Sequence, residues 1–312
     1  MKIGIVGTGN VGSACAMAAA VRGSAREIVL VNRTRKTADA VAADIQYGTP
    51  LGRRLDIVAG DYDALKGAGV VVITSGMNEK AGGATNRNDP EGRLRLLGKN
   101  AEIYRDIVPR IAGAAAGAVL LVVTDPPDPL ADITREIAGH SRVLSAGTFL
   151  DSLRFRIHLG RHFDIDPASV EAQVVGEHGT SQVFLWSSAR IGGIPVPALC
   201  EQRGEKLEKV RPALEDAVRY ANIAIIEGHD ASQYGIGIAS ARICEIVLAD
   251  EHAIIPIGSF QDSVGVFLSL PSVVGRIGVV KTAEPAMSDE EREQLASSAN
   301  SIRQALDRIR KS

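Results

Sequence analysis

Lys2-Ile3-Gly4-Ile5-Val6-Gly7-Thr8-Gly9-Asn10-Val11-Gly12 decides the fold. The run Ile3–Val6 is a short apolar strand. It passes into glycines at the spacing G-x-G-x-x-G and then into the helical stretch Val11–Arg22. Glycine at these places permits a tight turn, a close approach of backbone to a pyrophosphate, and tight packing of helix on strand. The free N–H groups at the helix start then face an anion. A strand, Ile28–Val31, and a helix, Thr37–Gln46, follow in the order that a dinucleotide-binding unit requires. Leu55–Ala59, Val70–Thr74 and Val119–Val123 are apolar on both faces, as strands buried in a parallel sheet should be. Right-handed crossovers between them predict a doubly wound sheet.

Near residue 146 the rhythm changes. Val170–Val175, Val183–Ala189, Ala253–Ile257, Val266–Leu270 and Val273–Val280 read as antiparallel strands with Gly or Pro at their ends. Long helices are expected over Glu205–Glu227 and Ser288–Arg310. The second opens with Ser288-Asp289-Glu290-Glu291, a capping box, and sets Leu295, Ile302, Leu306 and Ile309 on one face. The expected fold is α/β: a Rossmann-type doubly wound parallel sheet over residues 1–145, then an α+β substrate domain with antiparallel strands over 146–312.

Composition narrows the function. The chain has 312 residues and a formal net charge of -2, which gives no electrostatic case for nucleic acid or an anionic membrane surface. No apolar run approaches the ~20 residues that cross a bilayer. The start goes directly into a strand with no charged-then-apolar leader, so a soluble cytoplasmic protein is expected. Cys15, Cys200 and Cys244 share no metal-ligand spacing and read as buried apolar residues in a reducing compartment; no metal is expected.

Candidate cofactor-binding residues are Gly7, Gly9, Asn10, Val11 and Gly12, with Thr74 and Gly76 at the end of the fourth strand. The second strand ends unusually. Where a carboxylate normally takes the adenosine ribose hydroxyls stands Asn32, followed by Arg33-Thr34-Arg35-Lys36. An amide with arginines nearby attracts a 2′-phosphate that a carboxylate would repel. NADP(H) is therefore expected to be accepted alongside NAD(H); the competing reading of Arg33 is a solvated basic helix start.

The chemistry concentrates in Leu150-Asp151-Ser152-Leu153-Arg154-Phe155-Arg156 and Gly176-Glu177-His178-Gly179. They supply an acid/base histidine, a carboxylate to orient it and a guanidinium that grips a carboxylate through two hydrogen bonds. With the glycine motif, Val122-Val123-Thr124-Asp125-Pro126 and Gly237, this set resembles the L-lactate and malate dehydrogenase family over nearly the whole chain. The resemblance implies that His178 exchanges a proton with a 2-keto or 2-hydroxy acid, that Asp151 fixes its tautomer, and that Arg154 holds the substrate carboxylate. It further implies that an arginine on a closing loop hinged at Gly76, Gly82, Gly83 and Gly92 polarises the carbonyl: Arg93 first, with Arg87 and Arg95 as the alternatives. Ser232 falls in the substrate pocket and Ile236 against the nicotinamide. A homodimer or homotetramer is implied in the same way. Glu177 is read as structural, and His140, His158, His162, His229 and His252 as solvated or packed.

Three departures limit the carry-over. The loop Met77–Gly92 is longer than the family pattern, with extra residues around Ala84-Thr85-Asn86-Arg87-Asn88-Asp89-Pro90. Counting from Gly76 puts Glu79 at the position that separates pyruvate from oxaloacetate, where it would reject a dicarboxylate by like charge. A shifted register would put Arg87 there instead and reverse the preference. Asp125 replaces an asparagine that donates toward substrate or nicotinamide ribose. An ionised carboxylate cannot donate, so Asp125 must be protonated, paired or turned away, unless with Glu79 it serves a cationic or imine substrate. Thr180 replaces a common aspartate. Asp125-Pro126-Pro127-Asp128 is closer to the lactate-type ending. The expected activity is NAD(P)-dependent L-2-hydroxyacid dehydrogenation, L-lactate/pyruvate first, malate/oxaloacetate as the alternative. A nucleotide-binding redox sensor without turnover is the reading from another class.

Overall fold

The computed structural model describes residues 1–77, 92–229 and 231–311. Its first half alternates strand and helix: β1 (Lys2–Val6), α1 (Asn10–Arg22), β2 (Glu27–Val31), α2 (Arg35–Gly48), β3 (Asp56–Ala59), β4 (Val70–Ile73), α3 (Gly92–Ala114), β5 (Val119–Val122), α4 (Pro127–Ala138) and β6 (Val143–Ser145). The second half runs α5 (Phe149–Phe163), β7 (Val170–Glu171), β8 (Val174–Val175), β9 (Val183–Phe184), β10 (Arg190–Ile191), β11 (Ile194–Pro195), α6 (Val196–Gln202), α7 (Leu207–Arg219) and α8 (Ala221–His229). It closes with α9 (Tyr234–Ala249), β12 (Ala253–Gln261), β13 (Val266–Gly275), β14 (Gly278–Thr282) and α10 (Asp289–Lys311).

Among the described residues the main sheet has nine strands in the order β14-β13-β12-β6-β5-β4-β1-β2-β3. β3 to β6 pair in parallel, and β12 joins the β6 edge antiparallel through Gly258 opposite Ser145. Side chains alternate across a strand, so each buried strand feeds two cores. Ile3, Ile5, Val70, Val72, Val119 and Leu121 pack on one face with α1 and α9. Val6, Val71, Ile73, Leu120 and Val122 pack on the other with α3, α4 and α10. That two-sided burial is why these strands are apolar throughout.

Several expected elements differ in extent. The single helix over Glu205–Glu227 is two, α7 and α8, divided at Tyr220. Val170–Val175 divides into β7 and β8, and Val183–Ala189 keeps strand geometry only at β9. In contrast, β13 continues through Pro271, because Pro256 of β12 stands opposite and the two residues without N–H share one rung. The capping box forms: the Ser288 N–H donates to Glu291 Oε2 at 2.9 Å and the Glu291 N–H to Ser288 Oγ at 3.2 Å. Cys15, Cys200 and Cys244 are buried and free. No described helix is long and apolar enough to cross a membrane.

Candidate active site

The strand order turns back between β1 and β4, and a cleft of about 230 Å³ opens at the carboxyl ends of the strands there. Ligands bind at such switch points because neighbouring loops diverge to opposite faces of the sheet. Gly9, Asn10, Val11, Thr74, Gly76 and Met77 line one part of it; Asp125, Leu150, Arg154, His178, Asn222, Ser232 and Ile236 line the rest.

Each glycine of the first turn has its own reason. Gly7 has φ +102°, and a Cβ there would lie 2.7 Å from the Ser75 nitrogen. A Cβ on Gly12 would lie 1.9 Å from the Gly7 carbonyl oxygen, so α1 can pack on β1 only without it. Nothing lies within 4 Å of a Cβ on Gly9, which leaves open space beside the N-terminus of α1. Thr74 Oγ1 donates to the Gly7 carbonyl at 2.9 Å and fixes the turn. A turn closed on two sides and open on the third fits a dinucleotide's pyrophosphate. Nearby, Asn32 Oδ1 accepts the Thr8 N–H at 3.4 Å while its amide nitrogen donates to the Thr34 carbonyl. Arg35 is committed to Asp39, Asp61 and the Ala59 carbonyl, whereas Arg33 is exposed.

Helix α5 presents Asp151 and Arg154, three residues apart, on one face. Asp151 is buried and serves both neighbours. Its Oδ2 meets His178 Nδ1 at 2.5 Å and its Oδ1 accepts from Arg154 Nη1 at 2.9 Å. Burial pushes the Asp151 carboxyl up. The facing His178, through charge and hydrogen bond, and Arg154 outweigh that and hold it below the ordinary carboxylate range. The other donors of Arg154, Nε and Nη2, make no hydrogen bond among the described residues.

The loop carrying His178 is tied down from several directions. Gly176 bridges to Ser269 of β13, and the Glu177 N–H donates to Ser298 Oγ of α10 at 2.8 Å. The His178 N–H donates to Asp128 Oδ2 of α4 at 2.7 Å, and Arg219 of α7 donates to the Thr180 carbonyl. Asp128 also accepts from Ser145 Oγ at 2.6 Å; burial pushes its carboxyl up, against the pull of these hydrogen bonds. Glu177 accepts from the Ser181 hydroxyl, in keeping with a structural part. The sequence reading gave neither Asp128 nor Asn100 a place in the site; Asn100 accepts the Met77 N–H and donates to the Asp125 carbonyl, both at 2.8 Å. The Asp125–Pro126 bond beside it is cis.

Glu79 and Arg87 lie outside the described residues, as does the rest of 78–91, and the Arg93 side chain on the first turn of α3 does too. The site thus joins Asp151, His178 and Arg154 to the glycine turn across one cleft, with Asp125, Ser232 and Ile236 on its walls.

The chain resembles known proteins over nearly its whole length. Residues 1–144 match the family described as lactate/malate dehydrogenase, NAD binding domain, and residues 148–312 match lactate/malate dehydrogenase, alpha/beta C-terminal domain. An L-lactate dehydrogenase of Chloroherpeton thalassium is 40% identical over 312 residues, covering 99% of this chain and 100% of that protein. One of Thermus aquaticus is 41% identical, covering 98% of each. The crystal structure of a lactate dehydrogenase from a Medee basin deep-sea metagenome library matches with TM-score 0.90 at 34% identity, covering 99% of this chain and 98% of that one.

Proposed function

The chain belongs to the lactate/malate dehydrogenase family, and from that premise we propose that it interconverts L-lactate and pyruvate with NAD(H). It is an NAD-dependent 2-hydroxyacid dehydrogenase acting on a small molecule. The Asp151–His178–Arg154 constellation facing the glycine turn carries the 2-hydroxyacid dehydrogenase reading, and full-length relatives that are L-lactate dehydrogenases support lactate over malate.

NAD(H), when bound, gives or takes the hydride. Arg154 meets the substrate carboxylate through Nε and Nη2 while Nη1 stays on Asp151. His178 exchanges the proton with the substrate oxygen through Nε2, its Nδ1 being engaged by Asp151. The buried, ionised Asp151 fixes that tautomer and stabilises the imidazolium formed when the hydroxyl gives up its proton. The ties on residues 176–180 hold the ring in place while the substrate changes. Arg93 polarises the carbonyl in this reading, and Glu79 excludes a second carboxylate.

NADP(H) is accepted alongside NAD(H) in the same reading. Asn32 brings no negative charge, and Arg33 is exposed and makes no ion pair among the described residues. Residues 1–145 form the dinucleotide-binding domain, which lends Glu79 and Arg93 to the substrate, and 146–312 form the catalytic domain, which lends Ile236 to the nicotinamide. Exposed Met17 and Val21 on α1, with Tyr234 and Ile238 on the adjoining α9, support a homo-oligomer.

Initial rates of pyruvate and oxaloacetate reduction, each with NADH and NADPH, test these assignments together. Preference for pyruvate with measurable NADPH turnover is expected. Preference for oxaloacetate refutes the lactate assignment, and NADH turnover without NADPH turnover refutes the role of Arg33.

A further inference from the structure

Two polar side chains in the cleft have no task in the reaction just described. Asn222 of α8 and Ser232, ahead of α9, line it with Arg154, His178 and Ile236. Both are half-buried, and neither side chain makes a hydrogen bond among the described residues. In the lactate reading, on which this inference rests, the substrate carboxylate goes to Arg154 and its carbonyl oxygen to His178. The substituent at C3 is then what remains to meet the other walls. Against a methyl group, the Asn222 amide and the Ser232 hydroxyl would lose water and gain nothing, which is costly for polar groups. A hydroxyl at C3 restores both bonds: it can donate to the amide oxygen of Asn222 and accept from Ser232.

We infer that Asn222 and Ser232 form a polar subsite for the C3 substituent, so that the preferred substrates are short 2-keto acids carrying a hydroxyl at C3. Pyruvate enters the same site and uses less of it. Sites built to hydrogen-bond a substrate hydroxyl reject the analogue lacking it far more strongly than apolar pockets reject an extra group.

The test compares 3-hydroxypyruvate with 2-oxobutanoate, which differ by a hydroxyl in place of a methyl. Their kcat/KM values are measured with NADH for the wild-type protein, Asn222→Leu and Ser232→Ala. The ratio is expected to favour the hydroxy acid by at least about tenfold in the wild type and to fall several-fold in each variant. Quenching of protein fluorescence by NADH reports that each variant is folded. A ratio near unity in the wild type, or one unchanged in both variants, overturns the inference, since a merely structural effect would lower both rates alike. Pyruvate is measured in parallel: turnover of pyruvate with no preference for the hydroxyl sinks the subsite alone, and no turnover of any 2-keto acid sinks the parent reading with it.

Discussion

Asp151 is the residue on which the site converges. One carboxylate meets both the histidine and the arginine, so the groups proposed for acid/base work and for carboxylate binding share a single buried anchor. Asp151, Arg154 and His178 were legible in the sequence because two short motifs carry all three, with the helical spacing of the first pair built in. Asp128 was not. Its contact with His178 runs through a backbone N–H from 50 residues away, and no local pattern announces such a bond. Asp128→Ala removes the acceptor for both His178 N–H and Ser145 Oγ. Leaving a buried donor unsatisfied costs about 1–3 kcal/mol. Urea unfolding should show a loss of that size, and kcat for pyruvate should fall with it as residue 178 loosens. Unchanged stability and kcat would remove Asp128 from the site.

At the scale of elements, the glycine turn separates folding from binding. Gly12→Ala drives a methyl into the Gly7 carbonyl, and overpacking of this kind costs about 1–3 kcal/mol or more. Gly9→Ala meets no atom and has ordinary backbone angles, φ -73° and ψ -166°, so stability should stay within about 0.5 kcal/mol. In the proposed reading the open space at Gly9 takes the pyrophosphate, so KM for NADH should rise at least about tenfold, an energy of about 1.4 kcal/mol. Denaturation and NADH titration of both variants check the contrast; equal effects on stability would contradict it. The strands around this turn were legible as well, because burial on both faces leaves an uninterrupted apolar run. Boundaries set by tertiary contacts were harder to read. Pro271 reads as a strand end until Pro256 is placed opposite it, and the division at Tyr220 has neither glycine nor proline to mark it.

Across the whole molecule, α10 and β13 reach back to the His178 loop and join the end of the chain to its chemistry. Ion pairs tie distant parts in the same way, as Glu245 of α9 does with Arg22 of α1. Burial pushes the Glu245 carboxyl up, but hydrogen bonds from Arg22 and Ser24 hold it below its ordinary range, as His178 and Arg154 do for Asp151. Groups depressed in the folded state bind fewer protons there than in the unfolded chain. Their stabilisation is complete above the ordinary carboxylate range and is lost as pH falls through the depressed values. Asp128 and Asp132, both raised, act in the opposite sense. The urea midpoint is therefore expected to drop between about pH 5 and about pH 3, and to drop less in Asp151→Asn. An equal drop in both proteins would show that the pair gives no such linkage.

Pyruvate reduction by NADH in the wild type and in Asp151→Asn tests whether a proton moves through His178 under the control of Asp151. The amide can hold the ring but cannot stabilise the imidazolium, so kcat should fall by about 10²–10⁴-fold while NADH still binds. An Asp151→Asn protein that reduces pyruvate as fast as the wild type would exclude Asp151 from the proton transfer.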